Sequence, residues 1–117
     1  LSGRPIQIYG DGSAARDYLY IDDLINAILL ASRLEGGSTL NISTGVGTTI
    51  SDIVNLLVDI SGESLFKKFV SAEHGMVSSN VLDNSKAQRE LNWHPEVGLA
   101  DGLARTWEWA KSRYADV

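Results

Sequence analysis

From residue 6 to residue 23 the chain reads IQIYGDGSAARDYLYIDD, and these residues could do chemistry in three ways. The first is through the backbone. A short apolar run, Ile6 to Tyr9, enters Gly10, Gly12 and Ala15, the GxGxxA spacing of a turn whose free N–H groups can hold a dinucleotide pyrophosphate. Asp22, Asp23 or Glu35 would then be the carboxylate on the ribose. The second way is through Arg16, whose planar, permanently charged guanidinium can grip two oxygens of a diphosphate at once. The third is charge pairing, because Asp17, Asp22 and Asp23 are close enough in sequence to neutralise Arg16 in a salt bridge. Chemistry alone does not choose between the last two fates of Arg16.

The glycine turn lacks one requirement of the dinucleotide motif. Pyrophosphate rests on the first turn of a helix that leaves the glycines. Here Arg-Asp-Tyr-Leu-Tyr-Ile follows Ala15, and its aromatic and β-branched residues favour a strand. The pattern therefore predicts a hairpin-like strand–turn–strand, residues 6–9 and 17–21, with Asp11-Gly12 as the tight turn. His74 and His94 have no helical spacing to make them joint metal ligands, and read as surface or turn residues. No metal site is expected. The absence of cysteine removes thiolate, disulfide and zinc-finger chemistry.

Such residues need a scaffold. The 117 residues suit one domain. A net charge of -5, with Lys and Arg scattered, argues against nucleic-acid binding. No stretch approaches the roughly 20 apolar residues of a membrane span. A helix is expected from Asp22-Asp23, whose carboxylates would cap it, to Gly36-Gly37, with residues 27–31 as its buried face. Residues 39–43 alternate polar and apolar and predict a strand. A helix capped by Thr49 with Asp52 as its acidic partner should follow, carrying Ile50, Ile53, Val54, Leu57 and Ile60 inward and stopping at Gly62. Residues 66–70 predict a short strand and 71–81 a surface loop. Asp83 should cap a helix through Leu91, ended by Pro95. A last helix starts at Leu99, with Trp107 more buried than Trp109.

Three stretches, GRPIQIYGDGSAARDYLYIDDLINAILLA, LNISTGVGTTISDIV and LDNSKAQRELNWHPEVGLADGLARTWEW, occur in that order over nearly the whole chain. Together they resemble the extended short-chain dehydrogenase/reductase family of nucleotide-sugar epimerases and dehydratases, of the UDP-glucose 4-epimerase type. The resemblance implies an α/β fold of α+β-like character, in which short strands and about four helices form a single C-terminal substrate-binding domain over residues 1–117. It implies a nucleoside-diphosphate sugar as ligand, placing its base beside Ile8 and Tyr9 and its diphosphate on Arg16. NAD and a catalytic Tyr-x-x-x-Lys pair would belong to an N-terminal domain upstream of Leu1, since no tyrosine here has a lysine four residues on. By itself the chain is then expected to be inactive, while the parent would be a cytoplasmic, homodimeric, NAD-dependent enzyme. Epimerisation at C4 is the leading expectation; a 4,6-dehydratase, a decarboxylase or a non-catalytic sensor of nucleotide sugars or NAD are the alternatives. One departure stands out. Many members carry a second diphosphate-binding arginine in an Arg-x-Gly-Asp/Glu segment, where this chain has Glu73-His74-Gly75-Met76. Lys67, Lys68 or His74 could stand in for it, and no spacing selects among them.

Overall fold

The computed structural model describes residues 5–72 and 77–114. The departure at Glu73 and the candidate His74 lie outside them. Four helices and five short strands follow one another as β1 (Ile6–Tyr9), β2 (Ala15–Asp17), α1 (Ile21–Ala31), β3 (Gly47–Thr49), α2 (Ile50–Ser61), β4 (Lys67–Val70), β5 (Ser79–Asn80), α3 (Ser85–Leu91) and α4 (Leu99–Tyr114). This is the mixed α/β composition expected. β1 and β4 form a parallel pair, and β2 lies between β3, antiparallel to it, and β5, parallel to it.

The expected hairpin does not form, because β1 and β2 lie in different sheets. Gly10 and Gly12 both take positive φ, 76° and 82°, a conformation open to glycine at little cost. The Gly10 N–H donates to the Val70 carbonyl and the Ala15 N–H to that of Ser78. The turn thus passes the chain from one parallel partner to the next instead of folding it back. The strand expected at residues 17–21 is displaced as well: it ends at Asp17, and Ile21 already belongs to α1. Local β propensity in Tyr18 to Ile21 yields to packing, since Tyr20 lies against Gly102, where a Cβ would meet its ring at 2.9 Å.

Residues 39–43 have no ladder partner among the described residues. Their alternation is real all the same. Leu40 and Ile42 pack on the core, while Asn41 Nδ2 donates to the Asp83 carbonyl and Ser43 Oγ to that of Leu82. The segment has the side-chain pattern of a strand without a neighbouring strand. α2 follows its sequence closely: Thr49 Oγ1 accepts the Asp52 N–H at 3.1 Å, and Gly62 closes the helix at φ 68°. α3 stops at Leu91 because Asn92 turns left-handed at φ 49°, before the backbone restriction from Pro95 can act. β5 falls within the loop expected at 71–81. Trp109 is the more exposed of the two tryptophans of α4.

The core forms where α1 meets α3, from Ala27, Ala87, Leu91 and Trp93, with Leu30, Leu34, Leu40 and Ile42 around it. The capping role expected of Asp23 is replaced by a different one. Its buried carboxylate accepts the N–H groups of Glu96 and Val97 at 3.1 and 3.0 Å, and its own carbonyl accepts the Trp93 indole N–H at 3.1 Å. Burial of a carboxylate is tolerated when its oxygens are hydrogen-bonded. α1 is apolar on two sides. Asp23, Ala27, Leu30 and Ala31 face the core, whereas Ile21, Ile25, Ile28 and Leu29, roughly 180° around at 100° per residue, are 47–57% exposed. The expectation of a simple buried face over residues 27–31 is thus corrected.

Candidate nucleotide-sugar site

Arg16 is the middle residue of the middle strand of the three-stranded sheet, opposite Thr48 on β3 and Asn80 on β5. Residues directly opposite share a face, so the guanidinium stands in a row of three polar side chains. One of its N–H groups, on Nη1, donates to the Ala15 carbonyl at 2.7 Å. No carboxylate among the described residues lies within salt-bridge distance of it. Its three expected partners are occupied elsewhere. Asp22 faces Arg105 at 3.9 Å and Asp23 holds the 96–97 backbone. Asp17 points to the opposite face of β2, where its carboxylate accepts from the Thr44 N–H at 2.8 Å, the Thr44 hydroxyl at 2.6 Å and the Gly45 N–H at 2.9 Å.

Those donors explain why Asp17 is more acidic than usual. Partial burial by itself pushes its carboxyl up, but the Thr44 hydroxyl and the Thr44 and Gly45 N–H groups outweigh burial and hold it below the usual carboxylate range. The strand carrying Arg16 is thereby pinned to the loop before β3 by a charge that is unavailable to Arg16. Thr48 and Asn80, which share the face of Arg16, were not among the candidate residues read from the sequence. Nothing local marks them, because their place beside Arg16 depends on strand register.

The other predicted contacts are on β1. Ile8 is 2% exposed, so it could meet a ligand only through its backbone, whereas Tyr9 is 52% exposed. Of the two candidate lysines, Lys67 Nζ donates to Asn55 Oδ1 on α2 at 2.8 Å. Lys68, paired with Gln7, alternates to the face of β4 away from Lys67. Beside the Arg16 strand lies a cleft of about 300 Å³ lined by Tyr18, Thr44, Val46, Thr48, Glu96 and Val97, among others. A smaller one of about 120 Å³ opens between Tyr18, Tyr20, Leu99, Leu103 and Thr106. Arg16 is in neither lining and meets the larger cleft through Thr48.

The described residues do not fit NAD. β2, a strand, leaves the glycine turn. A Cβ at Gly12 would collide with the Ser51 hydroxyl, and the Gly12 carbonyl accepts the Ser51 N–H, so the turn is packed on α2 and not open to a pyrophosphate.

A family model described as GDP-mannose 4,6 dehydratase matches residues 1–106. The chain belongs to this family of nucleotide-sugar epimerases and dehydratases, which has the extended short-chain dehydrogenase/reductase fold. It is 34% identical over 114 residues to a UDP-glucose 4-epimerase of Mycolicibacterium smegmatis, covering 97% of this chain and 36% of that protein. With a dTDP-glucose 4,6-dehydratase of Streptomyces griseus it shares 32% identity, over 93% of this chain and 34% of the relative. Among solved structures, the UDP-glucuronic acid 4-epimerase of Bacillus cereus, in complex with UDP-glucuronic acid and NAD, superposes with a TM-score of 0.88 at 35% identity, over 96% of this chain and 37% of that one. The chain spans about a third of the length of the relatives it matches.

Proposed function

We propose that this chain is the substrate-binding part of a longer, NAD-dependent C4-epimerase of nucleoside-diphosphate sugars, and that it holds the nucleotide through Arg16. The observation that carries this reading is the guanidinium at the centre of the β3-β2-β5 sheet with no carboxylate partner among the described residues. An unpaired fork of this kind suits a diphosphate. Tyr9 and the backbone of Ile8 lie along the base. This chain contributes position: it fixes the nucleotide, so that the sugar is presented to reacting groups on the remainder of the protein. NAD is held there as well, since the described residues offer it no cradle.

The exposed stripe on α1 and the unpaired segment 39–43 are where that remainder docks. A helix that is apolar on two sides is normally covered on both, and the relatives are about three times as long as this chain. The parent is proposed to be a homodimer in the cytoplasm; no helix among the described residues is long and apolar enough to cross a membrane.

Arg16→Ala in the full-length protein tests the assignment. UDP-sugar affinity should fall on the order of 100-fold, the scale of a lost charge-assisted pair, with NAD affinity unchanged. Equal losses for the two ligands, or none, would sink it. A 4,6-dehydratase is the second reading, supported by the Streptomyces relative and the description of the family, whereas the Mycolicibacterium and Bacillus relatives are 4-epimerases. Product analysis separates the two: an epimer conserves the formula of the substrate, whereas dehydration releases water and leaves a 4-keto-6-deoxy sugar.

A further inference from the structure

We propose that the Thr48 hydroxyl is a second contact to the phosphate held by Arg16; this rests on the function proposed above. Thr48 lies directly across the antiparallel pair from Arg16. Opposed residues share a face with Cβ atoms roughly 5 Å apart, close enough for one phosphate group to meet both side chains. The threonines around it have their hydroxyls engaged inside the protein: Thr44 Oγ1 donates to Asp17, and Thr49 Oγ1 accepts the Asp52 N–H and bonds to its carboxylate. The Thr48 hydroxyl has no protein partner among the described residues and lines the open 300 Å³ cleft. A half-buried hydroxyl without an internal partner is available to a ligand at little desolvation cost.

The register also gives the contact a direction. Thr48 is the point at which the Arg16 face meets the cleft. Glu96, in the same lining, makes the rest of the cleft unfavourable for a second anion. The Arg16 end of the cleft is therefore the favourable place for the phosphate.

Thr48→Val removes the hydroxyl and keeps the shape. In the full-length protein, calorimetry with UDP as probe should show a loss of roughly 10-fold in affinity for Thr48→Val, recovery in Thr48→Ser, and no change in NAD affinity for either. Unchanged UDP binding in Thr48→Val, with Arg16→Ala still weakened, would overturn the Thr48 contact and leave the reading of Arg16 standing. If Arg16→Ala binds UDP as well as the unmodified protein, the function proposed above fails first. A loss of UDP and NAD binding together in Thr48→Val, or no recovery in Thr48→Ser, would mean that the residue is structural and would also overturn the contact.

Discussion

On β2 the Asp17 carboxylate accepts three hydrogen bonds from two consecutive residues, Thr44 and Gly45. Its folded pKa is depressed. The stabilisation is therefore fully present above the unfolded carboxyl value of about 3.9 and is lost as pH falls through the lower, folded one. Asp17→Asn should cost about 1–2 kcal/mol at neutral pH, the range for partly solvated bonds to a charged group, and should flatten the acid limb of the stability curve. Urea unfolding of both proteins from pH 3 to 7 measures it; an unchanged acid limb would contradict the assignment. Arg16 and Asp17 look like a ready salt bridge in the sequence, yet alternation along the strand puts them on opposite faces. Which of the two met the 44–45 loop depended on where that loop lay, and residue types could not show that.

At the scale of elements, local chemistry decided most where it was self-contained. The start of α2 is an example: Thr49 and Asp52 are three residues apart, so their bonds need nothing from the rest of the chain. Thr49→Ala should destabilise the chain by about 1 kcal/mol, with Thr49→Ser close to neutral; thermal unfolding distinguishes these outcomes, and a neutral alanine would remove the cap from the account. The end of α2 at Gly62 and the strand β1 are self-contained in the same way. Local propensity yields where a distant residue competes. Tyr18 to Ile21 has a strand's composition, but Tyr20 lies on Gly102 and under the Arg105 guanidinium, whose Cζ is 5.6 Å from the ring centroid. Asp23, a natural cap by position, is drawn inward to the N–H groups of Glu96 and Val97, more than seventy residues away.

The whole molecule is flat and open. Its radius of gyration is 16.8 Å and its thinnest dimension 21 Å, against roughly 13.4 Å for a compact chain of this length. The exposed side of α1 is one consequence, since each half-exposed isoleucine or leucine on it forgoes about half of the roughly 1.5–3 kcal/mol that full burial contributes. Replacing Ile25 and Ile28 with serine in the isolated chain should lower self-association and the binding of hydrophobic dyes while leaving the far-UV spectrum unchanged. Sedimentation velocity checks the first effect, and a chain that is monomeric before the change would refute it. The sequence by itself determined the four helices, the lack of a helix directly after the glycine turn and the Thr49 cap, because each is written within a few residues. Only the tertiary structure decided that β1 and β2 part into different sheets, that Thr48 and Asn80 flank Arg16, and that residues 39–43 lack a ladder partner among the described residues. Those outcomes depend on register and on burial between segments far apart in the chain, which no local pattern encodes.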